Sequence, residues 1–212
     1  FILLLGLALL CTWQAVFSLA RTPGAQPVAF AFGGEASPTD YARALADGGL
    51  LALLAGLGLA QLAHETSHTL VQLSAVCAVF FAAAAMAWQP KLAAVAALLG
   101  LLAMALGGAP AMAMLLGAGA ITVALSTSQP RLPHRYSWAA WWLLCMAIAA
   151  LSAWMLGQWG YRLINPWQQG KDWQSTARML MWFSWPAWLL AVWALWRWRL
   201  QLRQPARHPH LA

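Results

Sequence analysis

Histidine and acid fall together at one place in the chain, His64-Glu65-Thr66-Ser67-His68, between two long apolar runs. On a helix, this H-E-x-x-H spacing places two imidazoles one turn apart on one face with a carboxylate beside them, an arrangement that can hold Zn²⁺ and activate a bound water. The spacing therefore predicts His64 and His68 as metal ligands, with the carboxylate of Glu65 beside them. The same five residues also fit a hydrated polar turn in which Thr66 or Ser67 caps the following helix.

The polar segment 165–172 begins with Asn-Pro and ends with Asp172, which is the acid available as a third zinc ligand. Together with the H-E-x-x-H residues, this segment resembles the motifs of the site-2 protease-like intramembrane peptidases, although the glycines beside that family's second histidine and its aspartate are replaced here. The resemblance implies an intramembrane zinc peptidase in which His64, His68 and Asp172 bind the metal and Glu65 is the general base.

The composition places the chain in a lipid bilayer. Of its 212 residues, 62% are hydrophobic and only 8% are charged, whereas soluble domains carry about 25% charged residues. The apolar runs are continuous over the lengths of membrane-spanning helices and lack the alternation of barrel strands. The net charge of +7 is scattered over loops and a short tail, so it indicates membrane topology and not nucleic-acid binding.

We predict an all-α, polytopic integral membrane protein with about seven transmembrane helices, or six if the pair within 92–126 is re-entrant. The predicted spans are residues 1–20, 48–63, 69–88, 92–106, 111–126, 138–159 and 178–198. The first of them is expected to be a retained helix and not a signal peptide. Residues 1–212 are predicted to form a single helical transmembrane domain, with an interfacial loop at 21–47 that ends in a short helix at 41–47, an outer loop at 160–177 and a basic tail at 197–212.

Lys and Arg fall unequally on the two sides of this arrangement, nine on one side and three on the other. Basic residues concentrate on the cytoplasmic side of membrane proteins, so we predict a cytoplasmic C-terminus in a bacterial-type inner membrane. The segments 64–68 and 160–177 are then expected to lie together on the outer face.

Tryptophan is concentrated in the last third of the chain, where thirteen of the fifteen lie from Trp138 onward. Tryptophans at the ends of spans form interfacial belts, which accounts for about half of them. Trp182, Trp185 and Trp188 surround Pro186 inside the seventh predicted span, too deep for a belt. They are predicted to contact a lipid, a quinone or pigment ring, or the helix of a partner subunit.

Several functions lack the residues they would need. The sequence has no Walker A motif, no G-x-S-x-G and no carboxylate pair, and no acid or base falls in the middle of a predicted span. Haem is disfavoured because two histidines at i and i+4 of one helix cannot bracket one iron. The leading hypothesis is a non-catalytic subunit, an anchor or a translocation component, that contacts the bilayer and other membrane subunits and needs no cofactor. The alternative is a metal-dependent membrane enzyme that needs zinc.

Overall fold

The computed structural model describes residues 2–22, 25–26, 36–55, 68–126 and 135–159, together with a few isolated residues between 177 and 196. These residues form helices and turns, and they contain no strand. The helices are α1 (Ile2–Ala20), α2 (Pro38–Leu54), α3 (His68–Ala85), α4 (Pro90–Leu106), α5 (Pro110–Ser126) and α6 (Arg135–Met155). The all-helical class predicted from the sequence is therefore confirmed for the described residues.

Three of these helices, α1, α3 and α6, are long and apolar enough to cross a membrane, and α4 and α5 are shorter apolar helices of 17 residues. The described residues form six helices, not seven, because most of the predicted seventh span, 178–198, lies outside them. The predicted helix at 41–47 was also too short. It is continuous with the start of the second predicted span, so that α2 runs unbroken from Pro38 to Leu54.

α1 and α3 run parallel to each other. Near their beginnings, the Ser74 hydroxyl lies 2.8 Å from the carbonyl oxygen of Leu4 and 2.9 Å from that of Leu70, and its one hydrogen is shared between these two acceptors. Near their ends, the Arg21 guanidinium lies over the Trp88 ring, 4.3 Å from its centroid. Because both helices point the same way, the chain between Arg21 and His68 has to return across the bundle.

The later helices alternate in direction. Gln72, in the second turn of α3, donates from Nε2 to the carbonyl oxygen of Gly107 at 2.7 Å, so α4 finishes where α3 begins. Trp141, in the second turn of α6, donates from Nε1 to the carbonyl oxygen of Ala94 at 3.2 Å, so α6 begins where α4 begins. α4 therefore runs antiparallel to α3, and α6 runs in the same direction as α4.

The bundle consequently has two distinct ends. We call the end where α1 and α3 finish and α4 and α6 begin the basic end, because it holds Arg21, Lys91 and Arg135. We call the opposite end, where α3 begins at His68 and α6 finishes, the histidine end. Two helices finish there in glycines with positive φ, Gly108 at 82° and Gly157 at 66°, a conformation that side chains disfavour.

Small residues set the distances between the helices. The larger core cluster joins α3, α4, α5 and α6 around Trp142, which is fully buried, and most of the buried residues around it are alanines. Gly100 of α4 faces the backbone of α3: a Cβ at this position would lie 3.1 Å from the carbonyl oxygen of Ala75 and 3.2 Å from the nitrogen of Val79. Such close approach is how helices pack where lipid removes the hydrophobic drive between them.

We predict that Gly100→Ala lowers the stability of the bundle by about 1–3 kcal/mol, because the new methyl group presses against backbone atoms that cannot rotate away. The measurement is thermal unfolding of the purified protein in detergent. Gly119→Ala in α5 is the matched control, since a Cβ there meets nothing within 4 Å and alanine favours a helix over glycine. Equal melting temperatures for the two variants would contradict the proposed close approach.

Candidate functional site

Of the four residues predicted to form the zinc site, the structure describes only His68. It is the first residue of α3, and its side chain is exposed at the histidine end of the bundle. His64, Glu65 and Asp172 lie outside the described residues. The zinc site therefore stays a prediction.

The zinc prediction requires the segments that carry its four residues to lie at the same end of the bundle, and the described helices bear on this requirement. The segment 64–67 precedes α3, and the segment that carries Asp172 follows the turn that ends at Trp159. Because α3 begins and α6 finishes at the histidine end, both polar segments leave the described part of the bundle at the same end. Among the described residues, no group of three His, Cys, Asp or Glu side chains could hold a metal ion.

The structure also places the cysteines and one of the tryptophans singled out from the sequence. Cys11, Cys77 and Cys145 are free thiols buried in the helix contacts. Trp182 and Trp185 lie outside the described residues, so their predicted contact with lipid or a partner stays a prediction. The indole of Trp188 donates to the carbonyl oxygen of Met181 at 3.2 Å.

The strongest arrangement of polar groups in the described residues was not predicted. It lies on α2, whose spacing of Asp40, Arg43 and Asp47 places three charged side chains on one exposed face. We call these three residues the charged face of α2. The opposite face is made of small residues, and Ala42 and Ala46 are fully buried on it.

Two contacts hold α2 against α1. Trp13 donates from Nε1 to Oδ1 of Asp47 at 2.8 Å, and a Cβ at Gly49 would lie 2.9 Å from Cγ2 of Val16. The ring of Trp13 also stacks on Phe17, with 5.1 Å between the centroids, which orients its N–H group. The carboxylate of Asp47 is thus held beside α1 by a directed hydrogen bond.

The position of the Asp47 carboxylate along α1 follows from that of Trp13, to which it is hydrogen-bonded. Trp13 lies seven residues from one end of α1 and eleven from the other, which corresponds to about 10 Å and about 16 Å along the helix. α1 has the length and apolar composition of a membrane span. If α1 spans the bilayer, Asp47 is therefore level with the hydrocarbon, where an ionisable group is costly unless it is paired or hydrated.

No protein-family model, curated protein or solved structure matches this chain. Its functional residues are therefore inferred from geometry alone. The structure describes contacts of the charged face of α2. For the H-E-x-x-H residues and Asp172, it shows only that their two segments leave the bundle at the same end.

The sequence carries a signal for the charged face of α2. The spacings from Asp40 to Arg43 and from Arg43 to Asp47 are three and four residues, and the small residues Ala42, Ala46 and Gly49 repeat on the opposite side. The predicted interfacial helix ends at Asp47 because the apolar run begins there. The same periodicity continues across that boundary and places Asp47 within one continuous helix.

We predict that Trp13 and Asp47 are energetically coupled. In a double-mutant cycle of Trp13→Phe and Asp47→Leu, the coupling should be favourable by about 0.6–1.7 kcal/mol, the range measured for hydrogen bonds between membrane helices. The measurement is thermal unfolding in detergent, and phenylalanine keeps the stacking on Phe17. The control cycle pairs Trp13→Phe with Asp40→Leu, whose carboxylate pairs with Arg43, and it should show no coupling. Equal coupling in both cycles would contradict the prediction.

Proposed function

We propose that this chain is a non-catalytic polytopic subunit of an inner-membrane protein complex, serving as an anchor or a translocation component. The observation that carries the proposal is the charged face of α2, which is exposed in the isolated chain at the level of the apolar residues of α1. Asp40 and Arg43 pair with each other at 3.2 Å, so they leave one net negative charge on this face, that of Asp47. Within the described residues, Asp47 makes no ion pair.

A neighbouring helix with Lys or Arg at the matching depth would supply the missing charge. Ionised groups at membrane depth are rare, and they pair with one another or face water. The opposite face of α2 is already occupied by α1, so a partner has access to the charged face without displacing the bundle. The proposed partner is therefore another membrane subunit that carries a basic residue within a span.

The proposal includes about seven spans and a cytoplasmic C-terminus. The parallel direction of α1 and α3 supports a return of the chain to the histidine end between Arg21 and His68. Arg21, Lys91 and Arg135 all lie at the basic end, whereas the residues described around 68, 107–110 and 155–159 include no Lys or Arg. By the positive-inside rule, the basic end faces the cytoplasm of an inner membrane.

The subunit proposal is tested by the charge of Asp47. Purified in mild detergent, the wild-type protein is expected to elute with other membrane chains, and native mass spectrometry should show more than the 23.0 kDa of one chain. Asp47→Asn keeps an acceptor for Trp13 but removes the charge, so it should release the partner while the melting temperature of the bundle stays unchanged. Asp47→Lys should abolish association by repulsion.

A wild-type protein that elutes as a single chain would contradict the subunit proposal. The same holds for association that is equal in the wild type, Asp47→Asn and Asp47→Lys, because the partner would then not recognise the charge.

The second candidate function is a metal-dependent, site-2 protease-like membrane enzyme built on His64, Glu65, His68 and Asp172. The observation that favours it is that the two segments carrying these residues leave the described bundle at the histidine end. The purified protein should then contain stoichiometric zinc, and His68→Ala should lose it. His134→Ala is the matched control, because that histidine directly precedes α6 at the basic end. A metal-free wild-type preparation would rule out the enzyme.

A further inference from the structure

An open cleft lies at the basic end of the bundle, between the first turns of α4 and α6. Pro90, Ala94, Ser137, Trp138 and Trp141 line it, and its volume is about 180 Å³. The hydrogen bond from Trp141 Nε1 to the carbonyl oxygen of Ala94 ties the two walls together. The cleft is therefore formed by the packing of α4 against α6, and this hydrogen bond holds its two walls together.

The lining is amphipathic in a way that suits a lipid headgroup and the glycerol beneath it. Indole, proline and alanine surfaces make up most of the walls, and the hydroxyl of Ser137 is the polar side chain at the mouth. A volume of about 180 Å³ accommodates a headgroup and is too small for a whole lipid. Tryptophan side chains favour this level of a membrane, where one side of the ring is apolar and the other is wet.

The cleft continues into an apolar track on α6. Leu144 and Ile148 follow Ser137 and Trp141 at helical spacing on the same face, and their side chains are 50% and 39% exposed. An acyl chain whose headgroup occupies the cleft could run along these two residues towards the middle of the bilayer. A soluble ligand has no acyl chain that would cover these apolar residues.

The basic residues around the cleft favour a negatively charged headgroup. Lys91 directly follows Pro90 of the lining and is exposed, and Arg21 lies at the same end. In the described part of the chain, neither cation has a carboxylate within ion-pair distance, because the ion pair found there joins Arg43 to Asp40. Basic pockets between membrane helices on the cytoplasmic side bind anionic lipid headgroups.

We propose that this cleft binds an anionic phospholipid, with its phosphate beside Lys91, its glycerol against Trp138 and Trp141, and one acyl chain along Leu144 and Ile148. The site is independent of the charged face of α2 and of the H-E-x-x-H residues. It makes the bundle selective for the lipid at one position of its cytoplasmic surface.

The test offers the purified protein equal amounts of phosphatidylglycerol and phosphatidylcholine in mixed micelles and measures the retained lipid by native mass spectrometry. The wild-type chain should retain one phosphatidylglycerol in preference to phosphatidylcholine. Lys91→Gln should reduce that preference about fivefold, the effect of removing one basic residue from an anionic lipid surface. Arg43→Gln is the matched control, since that exposed cation is already paired with Asp40, and it should leave the preference unchanged.

A second variant tests the cleft separately from the charge. Ser137→Leu fills the mouth with an apolar side chain at an exposed position, so the fold should be retained and the bound lipid lost. Equal retention of both lipids by the wild type, equal effects of Lys91→Gln and Arg43→Gln, or full retention by Ser137→Leu would each overturn the proposal. Displacement of the lipid by inorganic phosphate would also overturn it, because the site would then select a soluble anion.

Discussion

Close packing of helix backbones through small residues is the constraint on which this structure depends. Apolar side chains gain nothing by leaving lipid for the protein interior, so the helices associate through dispersion contacts and hydrogen bonds. Gly100 brings α4 against the backbone of α3, and Gly49 leaves room on α2 for the side chain of Val16 of α1. Many large apolar residues face outward, whereas Trp142, Leu70, Leu101 and Met104 are fully buried.

Three hydrogen bonds between helices share one chemical pattern, whereas the indole of Trp142 donates to Sδ of Met86. Ser74, Gln72 and Trp141 each donate from a side chain to a backbone carbonyl oxygen of another helix or of the turn that follows it. The carbonyl oxygens of Leu4 and Ala94 lie within helices and keep a second lone pair for the added bond. The carbonyl oxygen of Gly107 lies beyond the last turn of α4, where such groups lack a partner within the helix. Asp47 differs because it accepts from Trp13 with a carboxylate, and the proposed function rests on the charge of that carboxylate.

Much of the fold could be predicted from the sequence, and the site could not. Pro90 and Pro110 begin helices because their missing N–H groups cost nothing in a first turn. The boundaries of these helices could therefore be predicted from the sequence. The extent of α2 was missed because composition changes at Asp47, whereas its packing against α1 continues past that residue. The H-E-x-x-H spacing fixes the chemistry that a metal would need, but whether Asp172 reaches it depends on residues far apart in sequence.

The contact of Arg21 with Trp88 has a mechanical consequence. The guanidinium lies over the face of the ring, where the ring quadrupole attracts a cation. About 25 Å away along α1, Leu4 is bonded to Ser74 of the same neighbouring helix. These two attachments resist sliding of α1 past α3, and Trp13 lies between them. A displacement of Asp47 would therefore pass through Trp13 to α1 and from there to α3.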